Sequence, residues 1–173
     1  MHTRLIHHRG LSMAETVLST LLIGFILIAT LQIVGPMTRS TSVHADRLVA
    51  ANLAIELTEE IATKQWTSPV LNDPNSIGPE MGDTRITYDD IDDFAAWSAS
   101  PPMLSTGTYN TSLTGWTRRV SVDHVLMSDA STVSGTYTGL KRVTVVVLKD
   151  DVELARVESL HSDSADALGF VVP

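Results

Sequence analysis

Four aspartates within five residues, Asp89-Asp90-Ile91-Asp92-Asp93, are the densest set of hard oxygen ligands in the chain. Carboxylates suit calcium, but this spacing does not match an EF-hand loop, which needs a glycine at its bend. The run reads as a solvated acidic loop, with Ile91 and Phe94 anchoring it to the body. No metal or other cofactor is expected; Asp89, Asp90, Asp92 and Asp93 are the residues that would hold one. The six histidines form no ligand pattern: His2, His7 and His8 crowd the N-terminus, and His44, His124 and His161 are far apart. They make neither an i, i+4 pair nor an HExxH motif. With no cysteine in the chain, disulfides, thiolate metal sites and a Cys nucleophile are excluded. A G-x-S-x-G elbow that would expose a serine is missing too, so the chain is read as a non-enzyme. Trp97, Tyr109 and Trp116 could present an aromatic surface to a partner, but packing of their loop on a sheet accounts for them.

A carboxylate of another kind is Glu15. A short basic leader with Arg4 and Arg9 ends at Gly10, and Glu15 stands just before an almost uninterrupted apolar run, Thr16 to Val34. That run is roughly the 20 residues a bilayer-spanning helix needs. A charged residue costs about 2.5–3.5 kcal/mol at a bilayer centre on insertion scales, so an acid at the head of such a run needs a reason.

The stretch Gly10-Leu11-Ser12-Met13-Ala14-Glu15 resembles the class III signal of type IV pilins and pseudopilins. The resemblance covers Gly10 to about Val34 and extends to about Trp66 only as a pattern. It implies that a prepilin peptidase cuts after Gly10 and methylates the new amine of Leu11, and that Glu15 guides assembly. Leu11 departs from the family's usual Phe or Met at a position that tolerates other apolar residues. Methylation keeps the amine's charge, so the Leu11 ammonium, on the same or a neighbouring chain, is the natural counter-ion of Glu15. The implied function is a structural minor pilin or pseudopilin of a type IV pilus or type II secretion assembly, most like the I-type minor pseudopilins. Its partners would be other pilin or pseudopilin subunits, the prepilin peptidase and the inner membrane, with the C-terminal domain on the periplasmic side.

The other reading is a signal peptide or signal anchor, with Arg4 and Arg9 as its positive n-region. No A-x-A cleavage site follows Val34, where the chain runs Gly35-Pro36-Met37-Thr38. A retained helix fits better, and the alternative function is then a single-pass membrane-anchored binding or adhesion domain unrelated to pili.

Charge narrows the partners. The chain carries −8. Loss of residues 1–10 removes Arg4 and Arg9, so Lys+Arg falls from 12 to 10 against 20 acidic residues, leaving −10. An acidic body lacks the positive footprint that nucleic-acid binding requires, and it is repelled by an anionic leaflet.

The elements that must position these groups follow from periodicity. Residues 1–10 are the leader, 11–34 the membrane and assembly half of one long helix, and 35–66 its amphipathic half. At 1.5 Å per residue that helix is about 80 Å long. In the amphipathic half Ala50, Leu53, Leu57 and Ile61 share a stripe that Leu48, Ala51 and Ile55 widen. Pro36 cannot donate to the Gln32 carbonyl, and Gly35 adds freedom, so Gly35-Pro36 predicts a kink; the resemblance to filament pilins, whose helix loosens near such a proline on assembly, implies a local melt there instead. Residues 67–115 are a loop-rich connection punctuated by proline and glycine, with one short strand at about Thr84 to Tyr88. Residues 116–173 are sheet-like, with strands over Trp116 to Val125, Arg142 to Lys149 and Val152 to Leu160. A hairpin turn is expected at Lys149-Asp150-Asp151, and another turn between Gly135 and Gly139. The fold class is α+β, a long N-terminal helix packed on a small antiparallel sheet, an arrangement similar to the pilin architecture.

Overall fold

A computed structural model of the chain describes residues 12–68, 73 and 75–164, with the side chains of 33–41 left aside. Two compact units divide it, residues 1–45 and 46–173. One α-helix, α1 (Met13–Ala62), contributes to both.

In the first unit α1 begins at a cap. The Ser12 carbonyl accepts the backbone N–H of Glu15 at 3.0 Å and of Thr16 at 3.2 Å, and the Ser12 hydroxyl also accepts from the Glu15 N–H at 3.3 Å. Residues Met13–Gln32 are long and apolar enough to cross a membrane. The hydroxyls within this stretch are answered by the helix itself. Ser19 donates to the Glu15 carbonyl, Thr20 to Thr16 and Thr30 to Ile26. Back-bonding of this kind lets polar residues sit in an apolar helix without asking water for a partner. The kink expected at Gly35-Pro36 falls on residues whose side chains lie outside the description.

In the second unit the last four turns of α1 lay a stripe on a sheet. Ala50, Ala54, Leu57 and Ile61 are fully buried, recurring at the spacing of one helix face. Leu53 is packed at the edge. Leu48 and Ile55 do not widen the stripe as expected; they are 68% and 46% exposed. They lie nine and two residues from Leu57, about half a turn round at 3.6 residues per turn. The helix ends at Ala62 rather than near Trp66. The N–H groups of Thr63 and Lys64 bond back to Glu60 and Ile61, three residues behind, which tightens and closes the last turn.

Five antiparallel strands follow: β1 (Ser98–Ala99), β2 (Trp116–Leu126), β3 (Asp129–Val133), β4 (Leu140–Lys149) and β5 (Val152–Ser162). The order is β1-β2-β4-β5, with β3 paired to the end of β2. Alternate residues face the helix: Trp116, Val120 and Val122 on β2, and Val143, Val145 and Val147 on β4, all buried in one core. Each such valine contributes about 1.5–3 kcal/mol when fully buried. The β4–β5 turn stands where expected. Asp150 and Asp151 both have positive φ, 49° and 63°, the conformation of a two-residue type I′ hairpin.

One expected strand does not form, and one that forms was not expected. Residues 84–88 form a turn, not a strand: the Thr87 N–H bonds the Thr84 carbonyl at 2.8 Å, and the Thr87 hydroxyl accepts from the Thr84 N–H. The β3 strand has no sequence signature, because it is almost wholly exposed and so shows no apolar alternation.

Candidate functional site

The acidic run is folded inward. Asp90, Asp92 and Asp93 are 1%, 3% and 0% exposed, which overturns the solvated loop expected from sequence. The cause lies in the anchors. Ile91 and Phe94 enter the core, three residues apart on the 3-10 turn Asp92–Phe94 and its entry residue, and the carboxylates between them go in as well. The segment leaving α1 fixes the loop from one side. The Gln65 N–H donates to the Asp89 carbonyl at 3.2 Å, and the Ile91 N–H donates to the Gln65 carbonyl at 2.9 Å. Lys64 Nζ reaches the Tyr88 carbonyl at 2.5 Å.

The four aspartates then part. Asp92 turns to the sheet, where its Oδ2 meets Lys141 Nζ at 2.6 Å. Lys141 is fully buried, donates also to the Trp66 carbonyl and sits 4.2 Å over the Trp66 ring. Burial pushes Asp92 above the usual carboxylate range despite the lysine. The strand register places His124 and His161 on either side of Lys141, in one cross-strand row that sequence spacing hid. Burial, then the Lys141 charge, lowers His161.

Asp89, Asp90 and Asp93 turn the other way and converge with Glu80. One carboxylate oxygen from each of the four lies within 4.8 Å of the others. Asp93 Oδ2 accepts the backbone N–H groups of Asp89 at 2.8 Å and Asp90 at 3.2 Å. Asp90 Oδ1 accepts the Asp93 N–H at 3.0 Å. Asp93 Oδ1 is buried and has no hydrogen-bond partner. Burial pushes Asp90 up to about 7 and Asp93 up to about 6, whereas the Ser68 hydroxyl holds Glu80 below its ordinary value. Among the described residues, the ion pairs of Arg85, Lys141, Arg142, Lys149 and Arg156 are made with other carboxylates.

Arg85 packs on the aromatic rings that flank the acidic run, Tyr88, Phe94 and Trp97. It pairs with Glu60 at 2.5 Å and stands 4.9 Å from the Phe94 ring and 5.3 Å from the Trp97 ring. Arg118, 1% exposed, donates to the Met103 carbonyl and faces Trp97 from 5.9 Å. Tyr109 is half exposed and Trp116 is buried in the core. Glu80, Arg85, Arg118 and Lys141 went unread in the sequence. Only the two strand residues left a signal: Lys141 shares the parity of Val143, Val145 and Val147, and Arg118 that of Trp116 and Val120.

In the first unit, Glu15 lies in the first turn of α1. Ser12-Met13-Ala14-Glu15 has the form of a capping box, in which the third residue after the cap is an acid. A carboxylate there also meets the positive end of the helix dipole. Gly10 and Leu11 lie outside the described residues.

No family model matches the chain, and neither a curated protein nor a solved structure matches it at a significant level.

Proposed function

We propose that the chain is a structural minor pilin or pseudopilin, a subunit of a type IV pilus or type II secretion assembly. The observation that carries this reading is Glu15 at the head of the Met13–Gln32 helix, whose apolar side chains are uncovered: Leu18, Leu21, Leu22, Phe25 and Ile26 are each more than half exposed. An apolar patch of that extent on a chain in water must be covered. Lipid covers it in the inner membrane, and neighbouring helices cover it in an assembly. The body adds support, since α1 continues into a helix-on-antiparallel-sheet arrangement.

In this reading the peptidase hydrolyses the Gly10–Leu11 bond and methylates the freed amine, which stays positively charged. The body lies on the periplasmic side, opposite the basic leader. Glu15 pairs with a Leu11 ammonium of its own or a neighbouring chain. Once both are desolvated, leaving either without the other costs about 3–5 kcal/mol, and that cost selects one axial register between subunits.

A second reading rests on the Ser12–Glu15 cap. If Glu15 does no more than start the helix, the segment is a signal anchor holding a binding or adhesion domain. Mass spectrometry of the N-terminus separates the two. A chain that starts at methylated Leu11 is expected; an intact Met1, or a start beyond Val34, removes the pilin reading.

A further inference from the structure

The face of the sheet turned away from α1 carries a groove of about 370 Å³, within the size range of small-ligand sites. The strand register lays its side chains out in rows. Ser98, Arg119, Val146 and Arg156 form one row, and Ser121, Thr144 and Glu158 form the next. Neighbouring strands stand about 4.8 Å apart, so Arg119 and Arg156 flank Val146 from about 10 Å apart. Arg156 gives its fork to Glu153, at 3.0 and 2.9 Å. Arg119 makes no ion pair or hydrogen bond among the described residues. Thr144, on the floor of the groove, is only 6% exposed, and its hydroxyl likewise has no partner among the described residues. A hydroxyl taken out of water and left unanswered is costly. Leu148 and Val146 supply an apolar floor beside it. In the Arg119 row, β2 and β4 are each paired on both sides. No backbone group is free there to receive a peptide strand, so side chains alone do the recognition.

One rim of the groove is held under strain. The Trp97 N–H donates to the Phe94 carbonyl at 3.0 Å and closes a type II turn, with Ala95 at φ −62° and ψ 128° and Ala96 at φ 58°. That last position favours glycine. The Trp97 carbonyl then takes the Val120 N–H at 2.9 Å, which ties the rim to β2. Strain that the surroundings hold in place clusters at ligand sites.

We propose that this groove binds a small hydroxylated carboxylate, a uronic or hydroxy acid, with Arg119 taking the carboxylate. A guanidinium fork matches a carboxylate with two parallel hydrogen bonds. The Thr144 hydroxyl, with those of Ser98 and Ser121 at the sides, exchanges hydrogen bonds with the ligand's own hydroxyls. The ligand's carbon skeleton rests on Val146 and Leu148. The chain carries −8, so a free guanidinium beside unanswered hydroxyls sets the groove apart. The site does not depend on the assembly reading, and it would serve an anchored domain equally well.

The test uses the full chain in non-ionic detergent micelles and sodium glucuronate as the probe. Glucose, which carries a hydroxymethyl group in place of the carboxylate, is its neutral match. Calorimetric titration should show one saturable glucuronate site with a dissociation constant of about 1 mM or tighter, and glucose should bind at least about tenfold more weakly. Arg119→Gln, an exposed change that leaves the core untouched, should weaken glucuronate binding about tenfold or more. Arg119→Lys should fall in between, because it keeps the charge and loses the fork. Thr144→Val keeps the side chain's shape, and should weaken binding about threefold or more without lowering the melting temperature. The proposal is overturned by a folded chain that shows no glucuronate heat up to about 10 mM. Equal binding of glucose or of sodium sulfate would overturn it too, as would unchanged glucuronate binding in either Arg119→Gln or Thr144→Val.

Discussion

The two units answer the same problem, a charge next to apolar surface, in opposite ways. In the first, Glu15 stands on the exposed start of a lone apolar helix. Within the described residues its carboxylate meets the positive end of the helix dipole, so any counter-ion must come from beyond them. In the second, Lys141 meets Asp92 and Arg85 meets Glu60 inside one core, and the fold itself supplies the partners. The difference teaches where each unit's stability resides. The helix segment depends on its surroundings, lipid or other chains; the body depends on contacts between residues distant in sequence. Substitutions in the body should therefore unfold it and leave membrane insertion alone, and substitutions around Glu15 should leave the body folded and act on what the helix meets outside the chain.

The largest effect is expected from Val145→Asp. Val145 is fully buried on the helix-facing side of β4, and an aspartate there has no partner. The cost is about 3–5 kcal/mol, much of the roughly 5–15 kcal/mol that holds a domain together. The variant should still fractionate with membranes, while its body becomes protease-sensitive and loses its cooperative melt. A body that melts normally would show that the sheet does not bury this face.

Next comes Lys141→Met. It leaves the Asp92 carboxylate and the Trp66 carbonyl buried without their shared donor, at about 3–5 kcal/mol. Adding Asp92→Asn should recover part of that loss. Urea denaturation of the two single variants and the double variant measures the coupling; strictly additive losses would mean that the pair acts as two independent groups.

An effect that depends on pH is carried by protons. Asp90 is pushed up to about 7 by burial from an ordinary 3.8, so the folded chain holds its proton where the unfolded chain has lost it. Stability from this group is fully present below about pH 4 and is lost as pH rises to about 7, by at most about 1.4 kcal/mol per pH unit. In chelator, the stability difference between the wild-type chain and Asp90→Asn should follow that slope. A difference that is flat between pH 4 and 7 would mean that Asp90 is ionised throughout, as a solvated aspartate would be.

The same contrast explains what could be read in advance. The apolar span, the β4–β5 hairpin and the Ala50–Leu57–Ile61 stripe are local patterns, set by solvent and by the period of the backbone. Long β2 and β4 were legible through their alternating valines. The cluster was not. Ile91 and Phe94 were visible as anchors, but their consequence, that the aspartates between them are drawn inside, depends on the depth of the groove they enter. Asp92 and Asp93 are neighbours in sequence and part on a 3-10 turn. Glu80 arrives from across a proline- and glycine-rich stretch with no periodicity to announce it. Lys141 is the instructive miss: its parity with Val143 already placed it inward, and a buried lysine calls for a carboxylate.

The smallest effect on folding, and the finest test of the contrast, lies at the start of α1. Ser12→Ala removes the hydroxyl that accepts the Glu15 N–H and should cost the helix about 1 kcal/mol. Glu15→Val removes a first-turn acid and should cost about 0.3–1 kcal/mol through the lost dipole interaction. On helix stability alone the two variants are nearly alike, and both should insert into membranes and be cleaved after Gly10 at close to the wild-type level. They should differ in assemblies. If Glu15 answers a Leu11 ammonium on a neighbouring chain, Glu15→Val should lose most of its crosslinks to other subunits, while Ser12→Ala keeps them, because only the former deletes the charge. If both variants crosslink like the wild-type chain, the acid does no more than begin a helix, and the first unit would then need nothing from its surroundings beyond lipid; if both fail equally, contact with other subunits needs the helix cap and not the charge.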